Sequence, residues 1–208
     1  MTQTANLKHN ASIEMADREL WEKRYDTPDL IHGPEASDYL RANAGLLPTS
    51  GLALDITAGE GRNSVWLAER GLEVVALDIS LRALEKCQRL ARARGLVVDV
   101  AAVDLAQFEI PRKRFDMIVC FNFLRRELAP QIIEGLKPCG LLIFETLTIE
   151  HLRWKPDFNT DYLLQPGELA AMFSSLRLIK YREIDLEITS EGKPSRRSVA
   201  SIIARSLE

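Results

Sequence analysis

From Leu52 onward, short apolar runs take turns with longer amphipathic stretches, and that alternation restricts the fold more than any other feature of the chain. The apolar runs are Leu52 to Ile56, Glu73 to Leu77, Val97 to Val103, Phe115 to Phe121 and Leu141 to Glu145. Between them lie helical patterns at Asn63 to Arg70, Leu81 to Arg94 and Pro130 to Leu136. Gly71 and Gly95 stop two of these helices, and Ser80 stands where a cap is needed. Strands separated by helices pair in parallel and are buried on both faces. Right-handed crossovers then place helices on both sides of the sheet.

The last third breaks the alternation. After a helical pattern at Gly167 to Ser174, two β-like runs follow, Arg177 to Ile188 and Ser198 to Ala204, with Gly192 and Pro194 between them. A hairpin is expected there, with its strands antiparallel. The predicted fold class is therefore α/β: a doubly wound, mostly parallel seven-stranded sheet with a C-terminal antiparallel hairpin.

A chain of 208 residues suits a single domain over 1–208. Residues 1–12 read as a tail, 13–47 as an N-terminal helical cap, and 52–208 as the core. The cap holds helical patterns at Ile13 to Tyr25 and Glu35 to Ala44, joined by a loop containing Pro28, Gly33 and Pro34.

Composition excludes several classes. The net charge of −3 gives no overall basic field, so no nucleic-acid partner is expected. No apolar run approaches the roughly 18 residues of a membrane span, and Met1 to Asn10 has no apolar signal core. Cys87, Cys120 and Cys139 form no C-x-x-C pair, so neither a disulfide framework nor a metal site is expected, and a cytoplasmic location fits. Monomer and homodimer are both compatible with the sequence.

Open α/β sheets bind ligands beyond the carboxyl ends of their strands, where strand order reverses. Asp55, Asp78 and Asp104 stand at three successive strand ends. After Asp55 the loop reads Ile56-Thr57-Ala58-Gly59-Glu60-Gly61-Arg62-Asn63-Ser64. Gly59 and Gly61 allow a tight turn and a close backbone approach. Asp78 follows Gly61 by 17 residues, about where a carboxylate grips ribose hydroxyls. A dinucleotide fingerprint needs a third glycine, and Ser64 holds that place. A carboxylate such as Asp55 would also repel a pyrophosphate, whereas it favours an ammonium. The pattern selects S-adenosylmethionine, which carries an ammonium and a sulfonium but no phosphate.

LALDITAGEGRNSVWLAERG followed by VVALDIS resembles the class I S-adenosylmethionine-dependent methyltransferases, which have a Rossmann-like core. VDLAQF and GLKPCGLLIFE extend the resemblance over most of the chain. The GRNS, FETLT and LLQPGEL segments are most similar to the small bacterial tellurite-resistance-type methyltransferases. Thr57 and Cys139 stand where the family usually has glycine. The resemblance implies that Asp55 meets the methionine ammonium and that Thr57, Ala58, Gly59, Gly61 and Arg62 form the cofactor loop. It implies Asp78 on the ribose hydroxyls, Ile79 on the adenine face, and Asp104 with the Leu105 N–H on the adenine edge. Phe121 would lie near the methionyl chain. Trp21, Arg24 and Tyr25 resemble a W-x-x-R-Y segment that covers the cofactor.

Methyl transfer needs alignment and dryness more than a catalytic dyad. No dyad is visible, and the catalytic candidates are His151, for acid-base work near neutral pH, and Arg125. The acceptor pocket is expected from the N-terminal helices, the loop after the fourth strand and the insertion after the fifth. Arg62, Arg125 and Arg153 are candidates to attract an anion there. Arg82, Lys86 and Arg89 share one helical face, as either an RNA-facing stripe or a solvated surface. The expected partner is a small-molecule acceptor, a thiol or a chalcogen oxyanion. An RNA or protein methyltransferase and a non-catalytic S-adenosylmethionine-binding regulator remain alternatives.

Overall fold

The computed structural model describes residues 17–190 and 193–207. The expected tail (1–12), residues 13–16 of the expected leading helix, and Gly192 lie outside them. Residues 17–24 form α1. The remaining helices are α2 Asp38–Ala42, α3 Arg62–Ala68, α4 Leu81–Ala93, α5 Ala129–Gly135 and α6 Glu168–Met172. The strands are β1 Leu52–Ile56, β2 Glu73–Asp78, β3 Asp99–Ala102, β4 Phe115–Phe121, β5 Leu136–Leu147, β6 Arg177–Ser190 and β7 Lys193–Arg205.

All seven strands join one sheet in the order β3-β2-β1-β4-β5-β7-β6. The first five pair in parallel, and β7 runs antiparallel to both β5 and β6. The doubly wound expectation therefore holds, together with the closing hairpin. After β1 the chain builds outward to β3, then returns to place β4 on the other side of β1. The switch point lies between β1 and β4, whose carboxyl ends are Ile56 and Phe121.

Period-two alternation divides the core into two layers. Ala53, Met117, Val119, Leu141 and Ile143 face one side, where Val65 and Leu67 of α3 and Leu84 of α4 cover them. Leu54, Ile56, Ile118, Cys120, Leu142 and Phe144 face the other, under Ile132 of α5 and Leu169 of α6. Because both faces are covered, the central strands read as unbroken apolar runs.

Element ends differ from expectation where a polar or bent segment is still hydrogen-bonded. The hairpin ladder continues to Ser190↔Lys193, so residues expected as loop are strand. The expected helix Glu35 to Ala44 shrinks to α2, followed by a 3-10 turn at Ala44–Leu46. β5 starts at Leu136, five residues early. Its pairing to β4 jumps from Phe115↔Leu136 to Met117↔Leu141, so residues 137–140 bulge out of the ladder. The Ser80 cap is present, its hydroxyl accepting from the Ala83 N–H at 3.2 Å.

Candidate functional site

A cavity opens at the switch point, above the carboxyl ends of β1, β2 and β4. Its floor is the β1–α3 loop. Thr57 (φ +57°) and Gly59 (φ +56°) both adopt left-handed backbone there. A Cβ on Gly59 would stand 2.9 Å from the Tyr25 hydroxyl, so the floor and the N-terminal segment touch. Gly61 serves packing: a Cβ there would lie 2.2 Å from Cys87 Sγ, so only glycine lets α3 start against α4.

Asp78 accepts from the Gly59 N–H at 2.8 Å through one carboxylate oxygen and from the Ser80 N–H at 2.9 Å through the other. The Ile79 N–H also bonds this carboxylate, which still has accepting capacity for a ligand. Burial raises the Asp78 pKa, against the pull of those N–H donors. Asp104 accepts from the Ala106 N–H at 2.8 Å, and Arg125 stands 4.0 Å from it. Ile79, Val103, Leu105 and Phe121 supply apolar wall.

The N-terminal segment forms the roof. Trp21 and Tyr25 stack at 5.8 Å, one helical turn apart, and both line the cavity. The roof is fastened by a buried ion pair: Lys86 Nζ donates to Glu60 Oε1 at 2.8 Å and to the Asp29 carbonyl at 2.7 Å. Glu60 also accepts from the His32 N–H at 3.3 Å. Glu60 and Lys86 side chains are 3% and 4% exposed.

Of the expected cofactor residues, Tyr25, Thr57, Ala58, Gly59, Arg62, Asp78, Ile79, Asp104, Leu105 and Phe121 meet around this cavity, as does Arg125. Gly61 and Asp55 lie behind the wall. Asp55 is 1% exposed and accepts from Ser64 Oγ at 2.6 Å. Burial, reinforced by the charge of Asp78, lifts its pKa to about 7 against the pull of Ser64 and Arg62.

His151 does not reach the cavity. It is buried, packed edge-on against Phe158, and its Nδ1 has no hydrogen-bond partner among the described residues. Burial, then Arg197 and Lys155, lowers its pKa. The acid-base assignment therefore loses its geometric basis. His32, on the loop between α1 and α2, stands in the wall instead. Burial and the charges of Arg62, Arg197 and Arg24 hold its pKa down to about 4, so it is neutral at pH 7.

Two further expectations change. Arg153 is engaged by Asp185 at 2.7 Å and is not free for an anion. The stripe of Arg82, Lys86 and Arg89 is interrupted, because Lys86 is inside the protein. The insertion after β5 packs on β7, through Trp154 Nε1 donating to Ser198 Oγ at 3.0 Å. The hairpin, which the sequence did not mark for this purpose, supplies the wall next to the site through Arg182, Leu186, Arg197 and Val199. Arg197 alternating with Val199 on one strand was the available signal.

Residues 53–140 match a family model described as a methyltransferase domain. The ubiquinone biosynthesis O-methyltransferase of Histophilus somni is 29% identical over 131 residues, covering 58% of this chain and 55% of that protein. The "Probable S-adenosyl-L-methionine-dependent methyltransferase TehB" of Haemophilus influenzae is 30% identical over 118 residues, covering 55% and 38%. The matched region thus spans about half or less of these relatives' own length. The crystal structure of TehB superposes with a TM-score of 0.70 at 20% identity, over 91% of this chain and 66% of that one. A structure titled for the conversion of a disulfide bond into a thioacetal group during echinomycin biosynthesis superposes with a TM-score of 0.71 at 18% identity, over 91% of each chain.

Proposed function

We propose that this chain, whose residues 53–140 match a methyltransferase-domain model and whose fold resembles that of TehB, binds S-adenosylmethionine in the switch-point cavity and transfers the methyl group to a small-molecule acceptor, a thiol or a chalcogen oxyanion. The observation that carries the reading is Asp78. Its carboxylate lies in the cavity wall at the end of β2, oriented by backbone N–H groups of Gly59, Ser80 and Ile79. A carboxylate with accepting capacity left over fits a pair of adjacent hydroxyls. The apolar faces of Ile79 and Leu105 fit an aromatic base beside them, and Asp104 fits its amino group.

When bound, the cofactor supplies a sulfonium methyl: the acceptor's lone pair forms the new bond to carbon and the old C–S pair returns to sulfur, leaving S-adenosylhomocysteine and, from a thiol, a proton released to solvent. The chain's own residues bind, orient and exclude water. Trp21 and Tyr25 cover the cavity, and Phe121 and Phe123 keep its wall apolar. The three cysteines are free, which suits a reducing compartment such as the cytoplasm.

Isothermal calorimetry tests the cofactor. S-adenosylhomocysteine is expected to bind, and Asp78→Ala to weaken it at least about tenfold, the worth of one charge-assisted hydrogen bond. A folded protein that ignores S-adenosylhomocysteine and binds NAD would refute the reading. Transfer of labelled methyl groups to thiols, selenite, tellurite and total RNA then separates acceptors. Transfer to RNA alone would replace the small-molecule assignment, and no transfer at all would leave a binding protein.

A further inference from the structure

The cavity continues past the cofactor loop. His32, Arg62 and Asn122 line it and also line a second, larger groove of about 850 Å³ between residues 30–42 and the outer strands β6 and β7. That volume lies within the range of small-molecule sites. Leu30, Ile31, Ala36, Leu186, Ile188 and Val199 give it an apolar wall.

The charges in this groove do not cancel locally. Glu35 and Asp38 are each paired with Arg41, Glu187 with Arg196, and Glu145 with Arg182. Every groove carboxylate therefore already has an arginine. Neither Arg62 nor Arg197 forms a direct ion pair among the described residues: Asp55, Asp38 and Glu145 attract Arg62 and Glu145 attracts Arg197 only from beyond ion-pair distance, and Arg197 donates to the neutral Asn122 Oδ1 at 3.0 Å. Arg62 and Arg197 are near enough to repel one another, and the charge of Arg24 also acts on Arg197. Tyr39 also lines the groove. It is 5% exposed and its hydroxyl oxygen has no hydrogen-bond partner among the described residues. Partly buried guanidiniums that lack a direct ion pair are costly, and their forked donors match carboxylate and phosphate oxygens.

Resting on the methyl-transfer reading, we infer that this groove is the acceptor site and that the acceptor is an organic anion, its carboxylate or phosphate head held between Arg62 and Arg197 and its apolar body along the groove wall. A bare selenite or tellurite ion would fill little of the groove and leave the apolar wall wet. Among soft nucleophiles, the groove therefore selects a thiol on an anionic carbon skeleton. Arg62 belongs to both cavities, so it places the acceptor's charged end beside the methyl donor.

Calorimetry on protein saturated with S-adenosylhomocysteine tests this. The probes are 2-naphthoate, 2-naphthyl phosphate, neutral 2-naphthamide, and selenite. At least one naphthyl anion is expected to bind about tenfold or more tightly than both the amide and selenite. The tighter of the two anions identifies the head group. Arg197→Gln is expected to abolish that preference while S-adenosylhomocysteine affinity stays within about threefold, and Arg197→Lys to retain part of it. Equal binding of anion and amide, absence of binding by either anion, tighter binding of selenite, or an unchanged preference in Arg197→Gln would overturn the inference. Failure to bind S-adenosylhomocysteine would count against the cofactor reading alone, and the same titrations on the free protein would still decide the groove.

Discussion

Two departures from the usual family pattern, Thr57 and Cys139, carry the same backbone signature. Both have positive φ, +57° and +60°, where a Cβ meets the following carbonyl. Sequence flagged the residues; the backbone explains why glycine is usual there. Cys139 is exposed and lies in the β5 bulge, away from the cavity. Cys139→Gly is expected to stabilise the protein by about 1 kcal/mol, raising Tm by roughly 2–4 °C in a scanning melt. Asp55 makes a pH-dependent prediction. Its native pKa, about 7, lies above the ordinary 3.8 because burial disfavours the charge. The native state therefore binds the proton more tightly than the unfolded chain. The associated stability is complete below the unfolded value and is lost as pH rises through about 7. Asp55→Asn, which keeps an oxygen for the Ser64 hydroxyl, should gain Tm relative to wild type as pH goes from about 5 to 8. A constant difference across that range would mean that Asp55 is ionised throughout.

Among the elements, the N-terminal segment decides whether the cavity has a roof, and α4 holds it there. Lys86 of α4 reaches Glu60 on the cofactor loop and the Asp29 carbonyl on the covering loop. Breaking such a pair strands a buried charge, which costs about 3–5 kcal/mol. Lys86→Met is expected to lose about that much in a urea titration. Adding Glu60→Gln removes the stranded charge and should restore much of the loss. If the double variant is no better than the single one, the pair acts through packing alone. This clamp was illegible in the sequence. Lys86 sat on a cationic helical face, and Glu60 is separated from it by 26 residues. Only the α3–α4 approach at Gly61 brings them together.

At the scale of the molecule, the sheet order creates the site. The chain leaves β1 in one direction and returns to its other side as β4, so the carboxyl ends splay and a crevice remains between them. A ligand that fills this crevice only in the native state stabilises the whole fold. S-adenosylhomocysteine at about one hundred times its Kd should add about 2.7 kcal/mol, or roughly 5–10 °C of Tm for a domain of this size. NAD at equal concentration should leave Tm unchanged. A shift with NAD and none with S-adenosylhomocysteine would overturn the cofactor assignment.

The sequence by itself determined the strand and helix alternation, the closing hairpin and the acids at three strand ends. Those features are local: period, capping residues and glycine positions act within a few neighbours. The same locality marked Asp78, Asp104 and the Gly59 loop, which line the switch-point cavity. Tertiary structure alone decided that Asp55 turns to Ser64 behind the wall, that His151 is buried elsewhere, and that His32 stands in the cavity. It also decided that β7 brings Arg197 against Arg62, 135 positions apart by residue number. Which charges meet depends on how distant elements pack, and side-chain pattern along one segment holds no record of that.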